Sequence, residues 1–179
     1  AVPHDEPVRA ATLTGVTAET GLPWAGLQRL CASAGITADT EGDIASRGTA
    51  LHARLAEHGP VLCLVDDAHL LDTESLDVLA FVARRCERSP VGVVLTAASA
   101  TPAVDRLAGL DTAHLEPLTH DESLRLVATR VAAPVAAELV ETAGGNPSDL
   151  LELVDALTAA QAAGRQPPPR SLPAGGRGR

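Results

Sequence analysis

Apolar residues along this chain fall into short unbroken runs and longer periodic ones, and the two kinds predict different elements. Residues 61–65 (VLCLV) stand between Gly59-Pro60 and the acids Asp66-Asp67. An apolar run bounded by a break and a charge reads as a strand buried on both faces, as in a parallel sheet. Residues 91–96 (VGVVLT) predict a second such strand, and residues 8–14 (VRAATLT) and 113–118 two further strands. Between them the apolar positions recur at helical spacing. The pattern predicts helices over 24–34, 43–58 (Ile44, Leu51, Leu55) and 72–88, with a short one over 102–107. Gly59-Pro60 ends the second. Asp72 caps the third, placing Leu76, Leu79, Ala80 and Ala83 on one face and Arg84, Arg85 and Arg88 toward water.

After residue 118 the period changes. Thr119-His120-Asp121-Glu122 is a capping box that opens a helix to about residue 131. A helix over 134–142 follows, closed by Gly144-Gly145. Asn146 as N-cap and Pro147 at the first helical position begin the last helix, with the stripe Leu150, Leu153, Val154, Leu157. From Gly164 the chain turns rich in proline, glycine and arginine, a composition that builds no core. Strands alternating with helices predict an α/β fold, a parallel sheet flanked by helices, over residues 1–118. A small helical subdomain is expected over 119–163 and a flexible tail over 164–179.

Composition narrows the chemistry. Of the 179 residues 45% are hydrophobic but only 1% aromatic, Trp24 and Phe81, so the core must be aliphatic. All 14 basic residues are arginine. Without lysine the chain carries no Schiff base, no lysine general base and no phosphate-loop lysine. A net charge of −9 argues against nucleic-acid contact by this segment. No apolar run approaches the roughly 20 residues of a membrane span. The acidic, proline-broken N-terminus is unlike a secretion signal. Cys31, Cys63 and Cys86 form no metal or disulfide spacing, Cys63 reads as a buried thiol, and a reducing cytoplasm is the expected compartment. Because the sequence contains no methionine, it is expected to be processed or part of something longer.

The candidate chemistry lies in VLCLVDDAHLLD. Asp66 and Asp67 follow a buried strand, at the end where open α/β sheets bind ligands. In nucleotide-hydrolysing proteins such a pair is the Walker B element: one acid holds Mg²⁺ and the next polarises water. Loop acids of no function are the competing reading. Asp72 reads as a helix cap, and His69 as a structural or coupling residue. Asp66, Asp67, His69 and Asp72 could also be taken for a metal cluster, though nothing elsewhere in the sequence completes one.

LVDDAHLLDTESLDVLAFVARR resembles the Walker B strand and following helix of the large ATP-binding LuxR-type transcriptional regulators. These belong to the STAND branch of AAA-like P-loop NTPases. TGVTAETGLPWAGLQRLC is similar to their segment after the second strand, and VGVVLTAAS to their sensor strand. LEPLTHDESLRLV and AGGNPSDLLELVDAL resemble the two ends of the helical lid, and LTAAQAAGRQPPPRSLP the exit from the module. The resemblance implies an ATP-binding switch module that uses ATP and Mg²⁺. Its implied partners are the other domains of the same regulator or a partner protein. Asp66 falls on the Mg²⁺-coordinating acid, Asp67 on the catalytic, water-polarising acid, and Pro147 on the lid proline that lies against adenine. A simple helix start is the other reading of Pro147.

Two departures bear on activity. The family's Gly-x-x-x-x-Gly-Lys-[Ser/Thr] loop belongs before the strand at Val8, where only residues 1–7 stand, and Ala97-Ala98-Ser99 replaces the arginine expected after the sensor strand. The isolated chain is therefore expected to be inactive as an ATPase and marginally stable. The family's first strand lies centrally, so its loss would leave two inward strand edges unpaired unless the sheet closes up or another chain fills the gap. The alternative function is a nucleotide-free protein-interaction or regulatory remnant of the same fold.

Overall fold

A computed structural model describes residues 7–39, 41–99 and 101–167. The chain divides into two compact units, Ala1–Thr112 and Ala113–Arg179. The first has an α/β fold. Its strands β1 (Arg9–Thr14), β2 (Val61–Asp66) and β3 (Val91–Leu95) form a parallel sheet in the order β1-β2-β3. Helices α1 (Ala25–Ala34), α2 (Ile44–Glu57), α3 (Thr73–Ala83) and the short α4 (Ala103–Arg106) complete the unit. Parallel neighbours need a crossover, and these helices provide it.

Strand register decides which side chains meet the helices. Arg9, Val61 and Val91 are aligned, as are Ala11, Cys63 and Val93, and Leu13, Val65 and Leu95. From Ala11 onward this face packs with Leu27, Leu30, Leu51, Leu55, Leu76 and Leu79 into one aliphatic core. The opposite face carries Ala10, Leu62 and Gly92, then Thr12, Leu64 and Val94. There Leu64 is 37% and Val94 50% exposed. The expectation of strands buried on both faces is thus corrected: among the described residues the helices of this unit pack on one face, and the unbroken apolar run does not show which.

Close backbone approach sets the helix packing. A Cβ on Gly48 would come within 2.4 Å of the Phe81 ring, which locks α2 against α3. The buried Asp72 joins the starts of two helices. It caps α3 by accepting from Ser75 N–H at 2.9 Å, and it accepts from Trp24 N–H at 2.8 Å and Gly26 N–H at 3.0 Å at the start of α1. Trp24 adopts a left-handed backbone (φ 70°), and the Arg47 guanidinium lies 4.0 Å from its ring centroid.

Expected elements shift in three places, one being the helix opened at Thr119, which ends at Val127 and not near residue 131. The helix expected over 72–88 leaves α geometry at Ala83, and a 3₁₀ turn, Cys86–Arg88, follows. Pro90 requires extended backbone before it, and Ser89 has φ −116° and ψ 153°. Residues 113–118 form no strand: Leu115 is 97% exposed, and Leu118 N–H donates to Gly145 O at 2.8 Å. Pro117 has no N–H for a ladder, and the segment bonds within the helical unit instead.

That second unit packs α5 (His120–Val127), α6 (Ala133–Ala143) and α7 (Pro147–Asp155) around Val127, Leu139, Leu150 and Leu153. Both sides of the Thr119–Glu122 capping box are present. An unforeseen helix, α8 (Ala159–Ala162), begins at a second such box, Thr158 with Gln161. Of the expected tail, residues 164–167 lie outside helix and strand, and 168–179 fall outside the described residues.

The sheet has two unlike edges. On the outer side of β1, Thr12 N–H donates to Ser33 Oγ at 2.8 Å, and Arg9 Nη2 to Ala34 O at 2.9 Å. Helix α1 therefore covers the middle of that edge. Beyond β3 no described strand stands. With no strand at 113–118, one open edge replaces the two expected.

Candidate functional site: an acidic rim on the central strand

Asp66 ends the middle strand β2, level with Thr14 of β1, and Thr96 follows β3 directly. The Thr96 hydroxyl donates to Asp66 Oδ1 at 2.5 Å and accepts from Asp67 N–H at 3.1 Å. Asp67 N–H also lies 3.2 Å from Asp66 Oδ1. One hydroxyl thus orients one acid by its side chain and the next by its backbone. Among the described residues no hydrogen bond reaches Asp66 Oδ2 or the Asp67 carboxylate, leaving three acid oxygens for solvent or a ligand.

The turn that presents these acids is built at backbone level. Asp67 is left-handed (φ 51°, ψ 44°), a conformation that aspartate tolerates better than most residues. The turn is held by Ala68 N–H on Thr96 O at 2.8 Å and by Leu70 N–H on Asp67 O at 2.8 Å. Gly15, leaving β1, donates to Asp66 O at 2.8 Å, and a Cβ there would sit 2.2 Å from Asp67 O. No side chain larger than hydrogen fits at position 15 with this turn in place.

His69 Nδ1 accepts from Ala98 N–H at 3.4 Å. That bond leaves Nδ1 without a proton and puts the ring proton of the neutral form on Nε2. Asp67 Oδ1 is 4.0 Å from the same Nδ1. The histidine therefore ties the loop after β2 to the loop after β3, and Asp72 serves instead as a structural cap.

Asp66 and Asp67 are brought together by the turn, with His69 beside them. Pro147 belongs to the other unit, where it fills the first position of α7 behind the N-cap Asn146. The rim residues that sequence reasoning missed are Thr96 and Gly15. Thr96 had a signal, a hydroxyl closing the second apolar run; Gly15 had none, because its constraint is a contact with a residue far along the chain.

The donors fit one part of the implied cofactor. Mg²⁺ takes hard oxygens, keeps several waters and needs only one or two carboxylates beside a phosphate. Asp66, half held and half open, meets that requirement. The phosphate part does not fit. The chain has no lysine, and no arginine stands between Leu95 and Arg106. Among the described residues no group of three or more His, Cys, Asp or Glu is placed to hold a metal ion by protein ligands alone.

Other features supply no competing chemistry. Burial raises the thiols of Cys31 and Cys86 and pushes Cys63 up to about 11, so the three stay protonated at neutral pH. A groove of about 390 Å³ runs along Gly35, Ile36, Thr37, Ala38 and Asp39, but its Arg54 is already bonded to Thr37 O. No described helix is long and apolar enough to cross a membrane.

Neither a protein-family model nor a curated protein matches this chain. Among solved structures, two variants of Thermotoga maritima RuvB are similar at 15% and 16% identity, with TM-scores of 0.40 and 0.39. In each case 82% of this chain aligns with 53% of theirs, so the chain spans about half their length. At that level of superposition neither activity nor site residues transfer from RuvB to this chain.

Proposed function

We propose that this chain is part of the ATP-binding regulatory module of a LuxR-type transcriptional regulator. In this reading Asp66 is the Mg²⁺-coordinating acid and Asp67 the acid that polarises water. Pro147 is assigned the adenine contact, on resemblance alone. The observation that carries the reading is the adjacent acid pair at the carboxyl end of the middle parallel strand, with Asp66 oriented by Thr96. Open parallel sheets bind ligands at that end.

The residues fit the metal and not the triphosphate, so no hydrolytic step is derived for this chain. Positioning and charge stabilisation are the main sources of phosphoryl-transfer catalysis, and a lysine-bearing loop supplies both. Titration calorimetry tests the reading. The 179-residue chain should not bind Mg-ATP at micromolar concentration. A longer natural polypeptide carrying a Gly-x-x-x-x-Gly-Lys-[Ser/Thr] loop ahead of β1 should do so, and Asp66→Asn should weaken its Mg²⁺-dependent affinity by about tenfold or more. A natural upstream sequence without such a loop would overturn the assignment.

A further inference from the structure

Where the chain leaves α1, residues 36–39 form a strap that arginine side chains of α2 hold down. Ile36 N–H closes the end of α1 on Cys31 O at 2.9 Å, and among the described residues no backbone-to-backbone hydrogen bond holds residues 37–39. Two of their carbonyls are taken from α2 instead. Arg47 Nη1 donates to Asp39 O at 2.5 Å, and Arg54 Nη1 donates to Thr37 O. Seven residues, two helical turns, separate these arginines, so both reach from one side of α2. Their grips differ. Arg47 is buried, donates also to Gly42 O at 3.0 Å and lies over the Trp24 ring, so it is fixed in place. Arg54 and its second partner, the Asp39 carboxylate at 3.7 Å, are each 38% exposed. An ion pair so open to water contributes little.

Beneath the strap the surface is apolar and sealed. Leu27 and Cys31 of α1 and Leu51 of α2 are buried, and with Thr37, Asp39 and Arg54 they wall a cavity of about 10 Å³, at the lower limit for one water. Burial raises the Cys31 thiol and the Arg54 charge lowers it, which sets the thiol close under the arginine. A space of about 110 Å³ toward Trp24 and the groove of about 390 Å³ toward His58 flank the same segment. None of residues 36–39 is itself buried, so lifting them gives up few packed contacts. At the head of the strap Gly35 is left-handed (φ 72°), and a Cβ there would meet nothing nearer than Arg9 Nη2 at 3.9 Å. The backbone has room to turn at that point.

We propose that residues 36–39 are a gate on the helix layer, with Arg54 as its latch, Arg47 as its anchor and Gly35 as its pivot. Release of Arg54 from Thr37 O opens a slot between α1 and α2 while the rest of the unit stays folded. The open state exposes Leu27, Cys31 and Leu51, and the anchored end at Asp39 returns the strap to its place. Such an opening breaks only side-chain bonds to the strap and leaves every strand-to-strand bond of the sheet intact, which places it at the low end of the unit's opening free energies. Neither Asp66 nor Asp67 bonds to the strap or to its latch, so the gate does not depend on nucleotide.

Alkylation of the 179-residue chain by iodoacetamide, resolved cysteine by cysteine, tests the gate. Cys63, fully buried in β2, reports unfolding of the sheet, and Cys31 reports the strap. In the unaltered chain Cys31 should react at least about tenfold faster than Cys63. Its rate should hardly change in dilute urea while that of Cys63 climbs, because a local opening exposes little surface. Arg54→Gln should speed Cys31 about five- to tenfold, as expected for the loss of a charged hydrogen bond at an exposed site. Thr96→Val, which weakens the sheet and leaves the strap alone, should speed Cys63 several-fold and leave Cys31 unchanged. Equal rates for the two thiols, rising together in urea, would overturn the proposal without recourse to any variant. So would a Cys31 rate indifferent to Arg54→Gln, or one that follows Cys63 in Thr96→Val, because Cys31 would then be reached only through unfolding.

Discussion

Thr96 and Asp66, thirty positions apart in sequence, meet at 2.5 Å across the top of two parallel strands. Because the same hydroxyl accepts from Asp67 N–H, the end of β3 dictates how the end of β2 presents its acids. Thr96→Val keeps the shape and removes both bonds. The site is exposed, so the loss should be about 1 kcal/mol in urea unfolding, with Thr96→Ser close to neutral. Equal stability of the valine and serine variants would show that the hydroxyl does not organise the rim.

Gly15 faces a carbonyl and Gly21 faces open space. A methyl at position 15 would press on Asp67 O, a backbone atom that cannot move without disturbing the turn. Gly15→Ala should therefore cost about 2 kcal/mol or more, whereas Gly21→Ala should lie within about 0.5 kcal/mol of the parent. Chemical denaturation followed by the single tryptophan, Trp24, measures both.

Asp72 outweighs the rim acids in stability. Asp72→Ala would leave the N–H groups of Trp24, Gly26 and Ser75 without their carboxylate in a buried place, a loss of about 3 kcal/mol. Asp66→Ala, exposed and outside any helix cap, should cost less than about 1 kcal/mol. Reversal of that order would mean that Asp66 holds the fold together and Asp72 does not.

The buried thiol makes stability fall in alkali. Cys63 is raised from 9.0 to about 11, chiefly by burial, so between those values the folded chain holds a proton that the unfolded chain has released. Stability is full below pH 9 and is lost as pH rises toward 11, by on the order of 2 kcal/mol for this group. Denaturation midpoints at pH 8 and 10.5 check the sign. Cys63→Ala should flatten the slope while lowering stability at both values.

At the other extreme, Asp43 is lowered by the Ser46 N–H bond, and Glu122 by the hydroxyl and N–H of Thr119. Their contributions are present above the unfolded values of 3.8 and 4.5 and are lost as pH falls through the folded ones. Helical circular dichroism in Asp43→Asn and Glu122→Gln should accordingly show a weaker acid dependence than the parent.

Much of the architecture could be read from local pattern. Helix starts are local chemistry: Asp43, Asp72, Thr119 and Asn146 each cap the helix that their spacing announces, because a cap and the N–H it accepts lie within three residues. The strands at Val61–Asp66 and Val91–Leu95 follow from apolar runs cut by turn residues. The capping box Thr158–Gln161 was equally legible but short, and α8 went unforeseen.

Long-range contacts were not legible in this way. Whether 113–118 pairs as a strand depends on a neighbour being present, and Pro117 with Gly145 draws it elsewhere. Local pattern sufficed for where elements begin, which residues are apolar and that two acids follow a buried strand, since those depend on neighbours a few bonds away. Which sheet face meets helices, which edge stays open, and which hydroxyl holds Asp66 depend on residues 20 to 50 positions apart. Those pairings arise only when the whole unit packs, because burial and hydrogen-bond satisfaction are counted over the folded chain and not along it.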